Sequence, residues 1–143
     1  MKATQLLMVD HEEVMTMLDT LVAGDMDATD AVLFGRVKDA LTLHTGVEEA
    51  IFYPALRYFP ETKHLIEESY LEHKEIDALM ASMTPGSSTW DDQISELRSK
   101  VEQHAEEEES ELFPQAEALL GEEELLRLGQ EIQAMKVGKS AAA

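Results

Sequence analysis

Four apolar stripes at helical spacing run through this chain, and a histidine interrupts each one near its middle. The first is Leu7, His11, Val14, Leu18 and Leu21, and the second is Val37, Leu41, His44, Glu48 and Ile51. The third is Ile66, Tyr70, His73, Asp77 and Met80, and the fourth is Ile94, Leu97, Val101, His104, Glu108 and Leu112. Steps of three and four residues keep side chains on one face of an α-helix, and no alternating strand pattern persists. Four such stripes with short connections in 143 residues predict an all-α fold. The expected architecture is an up-down-up-down antiparallel four-helix bundle with an additional short C-terminal helix.

The punctuation places the helices. The first is expected from about Ala3 to Ala23, stopped by Gly24, with N-cap residues between Asp25 and Thr29 for a second. The second runs from about residue 29 to Tyr53, where Pro54 should end or kink it. A third covers about Thr62 to Met83. The loop from Thr84 to Thr89 follows, with Ser88 or Thr89 and Asp91 or Asp92 resembling a capping box. A fourth spans about Trp90 to Leu119, with a kink near Pro114. The chain reads as one domain over 1–143: a bundle over about 3–119, a C-terminal helix over about 122–137, and a flexible tail over 138–143.

The second and fourth stripes repeat each other where chemistry is possible. His44-Thr-Gly-Val-Glu48-Glu49 runs on to Phe52-Tyr53-Pro54, and His104-Ala-Glu-Glu-Glu108-Glu109 runs on to Leu112-Phe113-Pro114. His11 precedes His44 by 33 residues, and His73 precedes His104 by 31. Ionised carboxylates in a bundle core cost several kcal/mol each unless paired or metal-bound. Residues i and i+4 lie about 5–6 Å apart at Cβ, so one turn can offer an imidazole and a carboxylate to neighbouring metals. His11, His44, Glu48, His73, His104 and Glu108 therefore form two matching half-sites of a two-metal centre.

Blander readings fit other residues. A lone buried histidine is usually a satisfied core residue, but four at matched depth, two with an i+4 glutamate, are not explained that way. Glu106 and Glu107 point away from the stripe and read as solvated. Glu49 and Glu109, one step past the inward glutamates, are expected to face solvent or to back the ligands. His64 is half a turn out of phase with His73 and should face outward. Met8, Met15, Met17 and Met80 read as pliable core filler.

Charge and composition narrow the partners. Eleven Lys and Arg against 30 Asp and Glu give a net charge of −19, which argues against nucleic acid or an anionic membrane. With no cysteine, disulfides, thiolate-bound metals and thiol catalysis are excluded. The first ten residues lack the apolar core of a signal peptide, and no stretch reaches membrane-spanning length. A cytoplasmic protein is expected, and a monomer is compatible with the sequence.

Taken together, Asp10-His11, His44-x-x-x-Glu48-Glu49, Glu72-His73 and His104-x-x-x-Glu108-Glu109, with both aromatic-Pro pairs, resemble the hemerythrin-like family. The likeness is to the bacterial group named for its His-His-Glu cation-binding domain, and it spans residues 10 to 114. Each His-x-x-x-Glu alone is a weak signal; the ordered set of four elements is specific. The resemblance implies a non-haem di-iron centre, two Fe ions bridged by carboxylates and an oxo or hydroxo group, with Mn or Zn as alternatives. Carried over, His11, His44, His73 and His104 would be terminal ligands and Glu48 and Glu108 bridges. The implied partner is a small oxygen species (dioxygen, hydrogen peroxide or nitric oxide). Binding of or reaction with that species is expected, catalase-like disproportionation of peroxide being one such reaction, and an oxygen- or iron-responsive sensor or storage module is the alternative.

Two departures from the oxygen-carrying members bear on that choice. They have a second histidine four residues after the third-helix ligand, where this chain has Asp77. Their last carboxylate lies five residues after its histidine, the place of Glu109 here, whereas the inward one is Glu108. Whether Asp77 ligates or leaves a position open, fewer nitrogens surround the metals. Hard oxygen donors favour the ferric state, so oxidation, peroxide chemistry or sensing is expected over reversible oxygen carriage. A ferritin-like site needs two Glu-x-x-His units, and only Glu61-Thr-Lys-His64 exists, out of phase with the core.

Overall fold

The structure, a computed structural model, describes residues 1–142, with side chains up to Lys139. Its elements are α1 (Ala3–Ala23), α2 (Ala28–Val47), a π-helical turn π1 (Glu48–Phe52), α3 (Tyr53–Leu56), α4 (Lys63–Ser82), α5 (Trp90–Glu107), a second π-helical turn π2 (Glu108–Leu112) and α6 (Phe113–Ala142). α2, π1 and α3 form one continuous rod, as do α5, π2 and the start of α6, so four long helices build the expected bundle. α1 packs against α2, α5 and α6, and α4 packs against α5. Among the described residues no helix is long and apolar enough to cross a membrane.

Local signals explain most boundaries. Asp27 caps α2 by accepting the Asp30 backbone N–H at 2.9 Å. At α5 the expected capping box does not form: the Thr89 hydroxyl donates to the Gln93 side chain at 3.1 Å instead, and Asp91 and Asp92 simply favour the positive end of the helix dipole. Gly121 breaks α6 at φ 78°, a left-handed conformation that costs glycine nothing. The chain past it stays helical through Ala142 rather than ending near residue 137, and Ala143 lies outside the described residues.

The two prolines do something other than end a helix. Pro54 and Pro114 have no N–H to close the i−4 bond. In the turn before each, the Tyr53 N–H donates to the Glu48 carbonyl and the Phe113 N–H to the Glu108 carbonyl, five residues back. The widened turn carries the helix through the proline, so the second rod reaches Leu56 instead of stopping at Tyr53. Each wide turn begins at an inward glutamate.

Two apolar clusters fill the bundle. One joins Leu7, Val47, Phe52, Tyr53, Leu112 and Phe113 to Leu125, Leu128 and Ile132 of α6. The other joins Val14, Leu18, Phe34, Leu41, Ile76, Ile94, Leu97 and Val101, with the Phe34 and Trp90 rings edge-on at 4.8 Å. On each helix a histidine falls between the residues of the two clusters. Met80 is buried as expected, but Met8 is 39% exposed and fills no core.

Leu97 is fully buried in the second cluster. Leu97→Ala should lower stability by about 2–5 kcal/mol with helix content intact. Urea unfolding followed by circular dichroism checks this; a loss below about 1 kcal/mol would contradict close packing there.

Candidate metal centre

The layer between the clusters contains six buried ionisable side chains: His11, His44, Glu48, His73, His104 and Glu108. Their inward atoms fall into two groups with every atom within 4.8 Å of its fellows: His11, His44, Glu48 and Glu108 in one, and Glu48, His73 and His104 in the other. Glu48 Oε1 lies 3.3 Å from His44 Nε2 and 3.1 Å from His73 Nε2. Glu108 Oε1 lies 3.1 Å from His11 Nε2 and 3.2 Å from His104 Nε2. Each carboxylate thus reaches from its own half-site into the other.

The outward nitrogens show why the imidazoles point inward as they do. Each Nδ1–H donates to a carboxylate: His11 to Glu109 at 2.8 Å, His44 to Asp10 at 2.8 Å, His73 to Glu49 at 2.8 Å and His104 to Glu72 at 2.6 Å. Placing the proton on Nδ1 leaves the Nε2 lone pair facing the centre, the tautomer a metal-binding histidine needs. The pattern is crosswise. The acid preceding a histidine (Asp10 or Glu72) holds the histidine of the next rod, and the acid following an inward glutamate (Glu49 or Glu109) holds a histidine of the opposite half. The sequence reading gave Asp10 and Glu72 no role of their own, although both sit at matched positions just before a histidine.

One position breaks the symmetry. The Tyr53 ring stacks beside His73 at 5.4 Å, as the Phe113 ring stacks beside His11 at 5.9 Å. Only tyrosine has a hydroxyl, which donates to Glu108 Oε2 at 2.8 Å and lies 3.2 Å from His73 Nε2. Tyr70 stands behind it, ring against ring at 5.4 Å.

Asp77 is not part of the centre. It is exposed and belongs to neither group of convergent donors. After His73 the buried face of α4 continues through Ile76 to Met80, because a three-then-four step keeps an apolar side chain inward where four-then-three would bury an aspartate. His64 faces solvent as expected.

The donor set fits a bound cation. His44 Nε2 and Glu48 Oε2 are buried without a hydrogen-bond partner, an arrangement that ordinarily costs about 1–3 kcal/mol per group. Contacts of 3.1 to 3.3 Å between nitrogen and oxygen match two donors on one ion: at about 2.1 Å from a metal and about 90–109° apart, ligand atoms lie about 3.0–3.4 Å from each other. Imidazole and carboxylate without thiolate suit Fe, Mn or Zn.

Protons compete for the same atoms. Burial disfavours a charged His44, but the Glu48 carboxylate and the Asp10 hydrogen bond outweigh it and push the imidazole up to about 10. Burial likewise opposes charge on Glu48, yet His44 and the neighbouring hydrogen bonds hold it well below the usual carboxylate range. Burial and the two carboxylates push the Tyr53 phenol well above its ordinary value, so it stays protonated.

A raised His44 contributes stability that is fully present below its ordinary value of 6.5 and is lost as pH rises through about 10. A depressed Glu48 contributes stability that is lost as pH falls below its ordinary value of 4.5. Chelator-treated protein should therefore melt at lower temperature as pH is raised from 6.5 towards 10. Metal-loaded protein, whose imidazoles are already neutral, should show little such fall. A flat melting temperature for chelated protein across that window would contradict the assignment.

Known proteins share this fold. A model of the family described as the hemerythrin HHE cation binding domain matches residues 2–116. The crystal structure of a hemerythrin HHE cation binding domain-containing protein from Mycobacterium kansasii superposes with a TM-score of 0.87 at 23% identity, covering 99% of this chain and 90% of that one; at that identity the likeness speaks for the fold. A DNA nickase from Nostoc sp. is 26% identical over a match of 139 residues that covers 95% of this chain and 39% of the relative, so the chain spans about two-fifths of that protein. The matched family span contains all four inward histidines and both inward glutamates: the chain belongs to the hemerythrin HHE cation-binding domain family.

Proposed function

We propose that this chain is a single hemerythrin-like domain that holds two iron ions and reacts with a small oxygen species, with hydrogen peroxide disproportionated to water and dioxygen. The convergence of four Nε2 atoms on the Oε1 atoms of Glu48 and Glu108 carries this reading. His11 and His44 would hold one ion, His73 and His104 the other, and Glu48 and Glu108 would reach both. Iron held there would supply the redox chemistry that peroxide disproportionation needs.

The protein's own residues do the rest. The outer carboxylates fix each imidazole, which spares reorganisation as charge changes at the centre. Phe52, Tyr53 and Phe113, all buried, close the layer on one side and keep bulk water out. Tyr53 holds a proton on its hydroxyl at the edge of the centre, hydrogen-bonded to Glu108, where it can donate to an oxygen species bound there. Asp77 adds no oxygen donor, so a bound metal would lack the ligand that a histidine supplies in the oxygen carriers, which favours peroxide chemistry over oxygen carriage.

A small molecule fits as partner better than nucleic acid. A net charge of −19 opposes contact with a phosphate backbone, which sets this chain apart from the activity for which the Nostoc relative is named. A cytoplasmic setting accords with the absence of cysteine. The second reading is a non-enzymatic oxygen- or iron-responsive sensor or storage module. It is favoured by the two buried glutamates, which tie bundle stability to metal occupancy.

An oxygen electrode separates the two readings. Iron-loaded protein dosed with hydrogen peroxide should release one dioxygen for every two peroxides, the balance of the reaction. Tyr53→Phe should keep its iron and lose about a hundredfold in rate. No gas from fully loaded protein would overturn the catalytic reading in favour of the second.

A further inference from the structure

The four carboxylates that back the histidines are not alike in their surroundings. Glu49, Glu72 and Glu109 carry no lysine or arginine contact among the described residues. Asp10 does: its Oδ2 accepts from His44 Nδ1 at 2.8 Å while its Oδ1 accepts from the Lys136 ammonium. Its counterpart Glu72 gives its Oε1 to His104 Nδ1 at 2.6 Å. We infer that Lys136 makes the two metal positions unequal, by drawing negative charge off the carboxylate that backs His44.

Lys136 is well placed for this. It lies one turn beyond Ile132, which is fully buried with Leu125 and Leu128 in the first apolar cluster. A Cβ added to Gly129 would fall 2.2 Å from the Met1 carbonyl oxygen, so this stretch of α6 lies tight against the start of α1. The Lys136 side chain is 24% exposed and that of Asp10 12%, so water only partly screens the pair. Asp10, His44 and Lys136 line a cleft of about 230 Å³ with Glu13 on its rim. Lys136 also lies outside residues 2–116, the span that the family model matches.

The physical consequence has a sign. A carboxylate shared with an ammonium is a weaker acceptor, so His44 keeps its Nδ1 proton more fully and offers less electron density at Nε2. The lysine's own charge also repels an incoming dication. Although four inward donors converge on the His11/His44 position against three on the other, the ammonium makes it the weaker one, and the His73/His104 position fills first.

This inference rests on the two-metal reading, and a zinc titration separates their failures. Calorimetry on chelated wild-type protein should show two unequal steps. Imidazole N–H resonances followed in parallel should change first for His73 and His104, then for His11 and His44. Lys136→Met should tighten the second step about tenfold and shift the His44 Nδ1 proton with that of His104 unmoved. Lys136→Arg should keep the wild-type gap. Equal steps in the wild type, a second step unchanged in Lys136→Met, or both steps weakened together as a purely structural pin would give, each overturn the inference while leaving two metals in place. Uptake of one equivalent or less by wild-type protein overturns the two-metal reading and this inference with it.

Discussion

Two carboxylates and four imidazoles buried in a single layer cannot be neutral spectators. Glu48 and Glu108 have almost no contact with water, and burying a charge without a partner is among the most costly things a fold can do. What makes the layer tolerable is shared positive charge at its centre, from protons on the imidazoles or from metal ions between them. Because every Nδ1 proton is already given to an outer carboxylate, a metal is the better solution. It satisfies the Nε2 lone pairs and both carboxylates at once, including the orphaned His44 Nε2 and Glu48 Oε2.

The rest of the architecture serves that layer. Apolar clusters on both sides fix the helix registers so that the four histidines meet at one depth. The two π-helical turns, each enforced by a proline six residues after its inward glutamate, spend an extra residue where two consecutive acids must both be used. Glu48 and Glu108 go inward, while Glu49 and Glu109 swing across to a histidine of the opposite half. The result is a pseudo-twofold centre whose halves are locked to each other. Two departures then differentiate the halves: a hydroxyl on Tyr53 that Phe113 lacks, and a lysine on Asp10 that Glu72 lacks.

Much of this was legible in the sequence, for physical reasons. Helical period and glycine stops placed α1 and α4 within a residue or so of their ends, because those signals are local. Four in-phase histidines foretold the buried layer, since helix phase alone decides which face a residue shares. The third stripe misled at Asp77. After His73 both a three-step and a four-step continue a helical face, and only the burial cost of a carboxylate picks Ile76. The prolines predict an end or a kink at Pro54 and a kink near Pro114, because a wide turn that bypasses a missing N–H leaves no mark in an apolar pattern. The carboxylate partners of the histidines were visible only as matched neighbours, and Lys136 was not visible at all. Its partner is 126 residues away, a separation no local signal spans.

The central claim is that two metal ions sit between the inward nitrogens, and anomalous X-ray scattering tests it most directly. Crystals of iron-reconstituted protein, measured on either side of the iron absorption edge, should show two anomalous peaks per chain, one between His11 and His44 and one between His73 and His104, both in reach of Glu48 and Glu108. A single peak, or none in protein with the six side chains still gathered in the core, would contradict it.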